Sequence, residues 1–156
     1  MGSFLAVLEG RTERHRDYAY FMHNNIPEGP SYPIRGISDG TYHYIRNLHP
    51  ENIYIEKHVM GQMMWHEYWP SWVFEATRNE HTNYVVNRYM LRPHEELYNS
   101  IKDPNNMDNL VDNDEFSAVK QKLSEALDLW LKDQDDPGRK LDTWEFYNAS
   151  LGRDRD

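Results

Sequence analysis

The residues best suited to chemistry lie on either side of a single turn. His23, Asn24 and Asn25 precede a Pro-rich loop. Tyr32 closes that loop, and Arg35 follows in the run Tyr32-Pro-Ile-Arg-Gly-Ile-Ser-Asp-Gly-Thr-Tyr-His-Tyr-Ile-Arg-Asn47. A planar guanidinium, neutral amides, an imidazole and an aromatic plate form a set suited to an anionic sugar. The guanidinium makes charge-assisted paired hydrogen bonds, and the neutral groups meet hydroxyls. The competing reading is that Arg35 and its counterpart Arg46 decorate a solvated sheet face.

Other chemistries fit less well. Eight histidines invite a metal site, and His58, His66 and His81 share a region with Glu56, Glu67 and Glu80. Their spacing matches neither HExxH nor an i, i+4 pair that would set two imidazoles on one helical face, so hydrogen-bonded or surface histidines are expected. Asp103 to Glu115 carries five Asp or Glu and four Asn, but it lacks the order of a calcium loop. Turn and cap chemistry explains it. Glu95 and Glu96 are adjacent, so in a strand they point to opposite faces and cannot share one substrate bond. Neither a G-x-S-x-G elbow nor a phosphate-binding Gly-Lys loop is present.

Net charge is −9 over 156 residues, and no basic stripe stands out, so nucleic acid is not an expected partner. Cysteine is absent, which removes disulfides, thiolate metal sites and thiol nucleophiles. No apolar run is long enough to span a bilayer, and the first ten residues do not resemble a signal peptide; no membrane partner is expected. The hydrophobic fraction is modest at 38%, but eleven Tyr and five Trp supply bulky core material.

The elements that must position the arginines follow from pattern. Asp39-Gly40 between alternating runs is a strong hairpin signal. Tyr18 to His23 has strand composition, and Asn24 to Pro33 is an irregular loop. Trp65, Tyr68, Trp69, Trp72, Val73 and Ala76 are spaced as on a helix, with Pro70 in its first turn, and Asn79 to Met90 forms a second helix. Glu95 to Ile101 is a further short strand. Phe116, Val119, Leu123, Ala126, Leu127 and Trp130 define a long helix capped at Asp112 or Asn113 and stopped by Asp136-Pro-Gly138. The expected fold is α+β: a small antiparallel sheet of about four strands packed by the long helix, with short inserted helices.

The order of segments, "SFLAVLEG", "HRDYAYFMHNN", "YPIRGISDGTYHYIRNLHPE" and "RPHEELYNSIKDPNNMDNLVDNDEF", resembles the C-terminal region of type I sulfatases, and most closely the heparan N-sulfatase (sulfamidase) and bacterial glycan sulfatase branch. Asn99, Ser100, Ile101 and Met107 depart from the family's usual signature, within a turn. The resemblance implies a sulfatase C-terminal subdomain over 1–138, followed by a tail over 139–156. It further implies a catalytic domain outside this chain that carries a formylglycine and a calcium ion, since the chain has no Cys and no Ser-x-Pro-x-Arg; alone it is expected to be inactive. Its partners would be that catalytic domain and a sulfated carbohydrate met by His23, Asn24, Asn25, Tyr32 and Arg35, with Arg46 holding structure. Self-association is expected of the isolated piece. A purely structural subdomain and a free-standing sulfated-carbohydrate-binding module remain as alternatives. The resemblance implies a periplasmic, secreted or lysosome-like parent.

Overall fold

The computed structural model describes residues 4–13, 15–61 and 68–153. Trp65, His66 and Glu67, used above in the helix and metal readings, lie outside the described residues.

Four strands form one antiparallel sheet in the order β1 (Ala19–His23), β2 (Ile34–Ser38), β3 (Tyr42–Asn47), β4 (Glu95–Asn99). A short α1 (Leu5–Leu8) precedes them. α2 (Lys57–Met60), α3 (Tyr68–Ala76) and α4 (Glu80–Met90) are inserted between β3 and β4. A 3-10 turn at Asp114–Phe116 leads into α5 (Ser117–Asp133), and a second at Gly138–Leu141 leads into α6 (Trp144–Ser150). The expected α+β class is therefore observed. No described helix is long and apolar enough to cross a membrane.

Local chemistry sets most boundaries. Gly40 turns the β2–β3 hairpin at φ 93°, a region open to glycine, while Asp39 Oδ1 accepts from the Thr41 and Tyr42 amides at 2.9 and 2.8 Å. Pro70 sits in the first turn of α3, where its missing N–H costs no helical bond. Asn79 Oδ1 accepts from Thr82 N at 3.0 Å and caps α4, and Asn113 Oδ1 accepts from Glu115 N at 3.0 Å ahead of α5. The acidic segment from Asp103 is likewise turn chemistry: Asp103 Oδ2 accepts from Asp108 N at 2.8 Å.

The same segment seals the outer edge of β4. Asn109 Oδ1 accepts from Leu97 N at 2.9 Å, and Leu110 N donates to Leu97 O at 2.8 Å, so two groups that an edge strand would expose are satisfied.

The two sheet faces are covered differently. On one, Ile37, Tyr44 and Leu97 pack against Leu123 and Leu127 of α5, all fully buried, with Trp130 stacked on Tyr20 at 4.6 Å. On the other, Ile34 and Ile45 meet Tyr32, Tyr54 and Tyr89. On this second face the Phe21 ring lies over Gly36, so a Cβ there would come within 2.0 Å of a ring carbon and the ring would have to swing aside. Glu95 and Glu96 do part company as adjacent strand residues should. Glu95 accepts from Tyr44 OH and pairs with Lys120 at 3.0 Å, whereas Glu96 Oε1 accepts from Asn47 Nδ2 at 2.6 Å.

Two predictions follow from this packing. Leu123→Ala removes a fully buried side chain and is expected to destabilise the chain by about 2–5 kcal/mol, measured by chemical denaturation. Burial pushes the Glu95 carboxyl up, but the Tyr44 hydroxyl and the Lys120 ammonium outweigh it and hold it below its ordinary value. Its contribution is therefore present above the unfolded carboxyl's pKa of about 4.3 and lost as pH falls through the lower folded value. Wild type and Glu95→Gln should differ in midpoint at neutral pH and converge in acid.

Candidate functional site

The hairpin's symmetry places Arg35 directly opposite Arg46 across β2 and β3. Like charges so placed repel, so each needs its own counter-ion. Arg46 Nη1 donates to Asp128 Oδ1 at 2.6 Å and Nη2 to Ser124 Oγ at 2.9 Å, both on α5. Arg46 therefore ties the sheet to the helix.

Arg35 is enclosed. Its side chain is 0% exposed and its partner Asp136 3%. Nε donates to Asp136 Oδ2 at 2.6 Å and Nη2 to Asp136 Oδ1 at 3.2 Å, a two-pronged pair. Nη1 donates to Ile34 O at 2.9 Å, Asn24 Oδ1 at 3.2 Å and His23 O at 3.3 Å, and Nη2 also reaches Gly138 O at 3.5 Å. Each guanidinium nitrogen thus already has an acceptor. The residue expected to meet a sugar instead joins the end of β1, the start of β2 and the turn beyond α5.

Asn25 and Tyr32 are also interior. Asn25 is fully buried, and its Nδ2 donates to Ile55 O at 2.7 Å and Pro30 O at 2.8 Å, folding the loop upon itself. The Tyr32 ring meets the Tyr54 ring edge-on at 5.2 Å. Burial raises the pKa of its hydroxyl against the opposing pull of the Arg92 cation. His23 and Asn24 remain half-buried at the surface, the His23 ring against Tyr54 at 6.0 Å and its Nε2 without a hydrogen-bond partner. The structure therefore brings all five residues into one neighbourhood and leaves two of them partly exposed, with the unpartnered His23 Nε2 itself buried.

One residue that holds this site has no motif. Asp142 is 1% exposed; its Oδ1 accepts from Ile26 N at 2.8 Å and its Oδ2 from Tyr32 N at 2.6 Å, gripping both ends of the loop. The segment set apart as a tail from 139 is thus joined to the body. α6, capped by Thr143 Oγ1 accepting from Phe146 N at 3.2 Å, borders a cavity of about 210 Å³ beside the loop, lined by Asn24, Ile26, Leu141, Thr143, Phe146 and Tyr147, among others. The one available signal was Asp136-Pro-Gly138-x-x-x-Asp142, two acids spaced around a tight turn.

Glu28, Glu56 and His58 bring three potential ligand atoms within 4.8 Å of one another. Lys57 Nζ already lies 2.9 Å from Glu28 Oε2, and His58 Nε2 lies 2.6 Å from the same oxygen. The Lys57 ammonium holds the Glu28 carboxyl below its ordinary value. The cluster is an ion-paired surface and does not fit a calcium ion, which takes six or more oxygen ligands.

Comparison with known proteins agrees with the motifs. No family model matches the chain. An ulvan-active sulfatase from Formosa agariphila is 29% identical over 140 residues, covering 86% of this chain and 24% of that protein. Among solved structures, a 2-O GAG sulfatase superimposes with a TM-score of 0.53 at 17% identity, over 86% of this chain and 20% of its own. A sulfatase candidate from Bacteroides thetaiotaomicron gives 0.52 at 18% identity, over the same shares. The chain thus spans about a quarter of the length of the curated relative, and its likeness to a sulfatase C-terminal subdomain is present in both sequence and fold.

Removing Asp136 leaves the Arg35 cation buried without its counter-ion. Asp136→Ala is expected to cost about 3–5 kcal/mol in denaturant unfolding, far more than Asp128→Ala at the exposed pair.

Proposed function

From a chain that shares sequence and fold with one part of the sulfatases, we propose that it serves as a non-catalytic, substrate-cleft-forming part of a sulfatase acting on sulfate esters or sulfamates of glycans. The observation that carries this reading is the alignment of 86% of the chain with 24% of an ulvan-active sulfatase. The bond-breaking groups, a formylglycine and a calcium ion, would be held by residues outside this chain; the ion-paired Glu28 cluster is no substitute. The role left to these residues is to shape the cleft.

Within the loop the work is divided. His23 and Asn24 are the contacts, because they alone of the five keep open surface. Arg35, Asn25 and Tyr32 act through them: they fix the backbone from which the two side chains project, an arrangement that limits the ordering cost when a ligand binds. Trp72, Val73 and Phe74 of α3 and Leu5 and Leu8 of α1 are exposed apolar side chains. They suit burial against the catalytic domain, and in the isolated chain they favour self-association.

In the full-length enzyme, Asn24→Ala is expected to lower kcat/KM on the sulfated glycan by about tenfold, near 1.4 kcal/mol of transition-state binding, measured per folded enzyme because Arg35 Nη1 also loses an acceptor. His23→Ala should act in the same direction. Unaltered kcat/KM in both variants would leave the region with a purely structural role.

A further inference from the structure

A second anion-binding place lies away from this loop, where α4 meets β4. Arg88 and Arg92 are four residues apart, at the end of α4 and just beyond it, and both line a cavity of about 210 Å³ with Tyr89, Tyr98, Asn105 and Asn106. In a chain of net charge −9, the hydrogen-bond partners of these two guanidinium groups are neutral. Arg88 Nη2 donates to Tyr98 OH at 2.8 Å and to Asn106 O, and Nη1 lies 3.4 Å from Met107 Sδ. Arg92 Nε donates to Tyr89 O at 3.2 Å, and its plane lies over the Tyr54 and Tyr89 rings at 4.6 and 5.4 Å. Among the described residues no carboxylate forms an ion pair with either one.

One acid does share the cavity. Glu96 is 7% exposed, and its oxygens are already engaged, Oε1 by Asn47 Nδ2 at 2.6 Å and Oε2 by Tyr98 OH at 2.5 Å. Two guanidinium groups therefore stand against one carboxylate in the cavity lining, while the Asp103 carboxylate acts on Arg88 from outside it and Glu80 lines the adjoining concavity. Asn106 Oδ1 is buried there with no hydrogen-bond partner, an acceptor waiting for a donor.

Arg88, Glu96 and Tyr98 also line an adjoining concavity of about 480 Å³, whose other walls include Asn83, Asn87, Asn109 and Tyr84. The groove thus has a cationic end and an amide-lined end. The smaller cavity lies below the roughly 300 Å³ at which sites for drug-sized molecules begin, so it suits one small charged group and not a whole ligand.

The geometry points to a second glycan subsite: Arg88 and Arg92 take one sulfate or carboxylate of a sugar, Asn106 accepts from a hydroxyl or N–H beside it, and Asn83 and Asn87 meet the hydroxyls of the adjacent ring. The inference rests on the glycan-facing role proposed above and adds a specificity determinant to it. A substrate would be chosen by an anionic group other than the one cleaved.

The test is an NMR titration of the 156-residue chain, following backbone amides and arginine Nε–H signals. Three probes are used: a 2-O-sulfated heparin disaccharide, its desulfated counterpart and sodium sulfate. The sulfated disaccharide is expected to shift the Arg88 and Arg92 Nε–H signals, with at least tenfold weaker binding by the desulfated probe and by sodium sulfate. Arg92→Met, which keeps the apolar stem, should weaken binding tenfold or more. Asn105→Asp, at the exposed rim, should do likewise and serves if Arg92→Met unfolds by circular dichroism. Equal affinity in a folded variant, or sodium sulfate binding as tightly as the disaccharide, overturns the subsite. Shifts confined to residues 23–33 overturn it too while sparing the proposed function, and absence of any shift overturns it with the proposed function still decided by the Asn24→Ala kinetics.

Discussion

The arrangement turns on the Arg35–Asp136 ion pair. Two arginines facing each other across a hairpin would drive its strands apart, and both point toward the helix-covered side of the sheet. α5 and the turn beyond it answer with one aspartate for each, Asp128 within reach of solvent and Asp136 sealed from it. A buried pair contributes little net stability when complete but becomes costly when broken. Its effect is selective: only one docking of the helix end on the sheet satisfies both arginines, and that docking also presents carbonyls and Asn24 to Arg35.

The two faces of the sheet consequently have different characters. The α5 side is an aliphatic core stitched at its margin by charge, and it behaves as a scaffold. The opposite side is built of tyrosines whose rings meet edge-on, with Arg92 lying over two of them. Such a layer combines apolar packing with hydroxyls and a delocalised cation. Much of what faces a ligand, Asn24 apart, borders that tyrosine layer: the His23 ring lies against Tyr54, and the Arg88–Arg92 groove is walled by Tyr89 and Tyr98.

What could be read from the chain depended on how far a signal had to reach. Asp39-Gly40 and the apolar repeat of α5 act over a few residues, and each is found where pattern places it. Arg35 was legible as unusual but not as buried, because its partner lies 101 residues on. Its setting between Ile34 and Ile37 in a run with no neighbouring acid was the hint that it faces inward. Asp142 had only the weak signal of two acids spaced around the Pro-Gly turn, which is also ordinary surface composition. Arg88 was absorbed into the helix reading and Arg92 into the signature segment that it opens, and their shared cavity is closed by the Asn105–Asn106 turn folding back against them.

The Asp142 clamp has a consequence for how the chain matures. It bonds Ile26 N across 116 positions, so the loop beside β1 is finished by a residue made long after it. At about 5–20 residues per second, a ribosome needs on the order of ten seconds to supply it. Within that interval β1, β2 and β3 can pair, β4 and then α5 join as they are made, and the loop waits without its anchor. A nascent chain released early would thus emerge as a formed scaffold with an unshaped mouth.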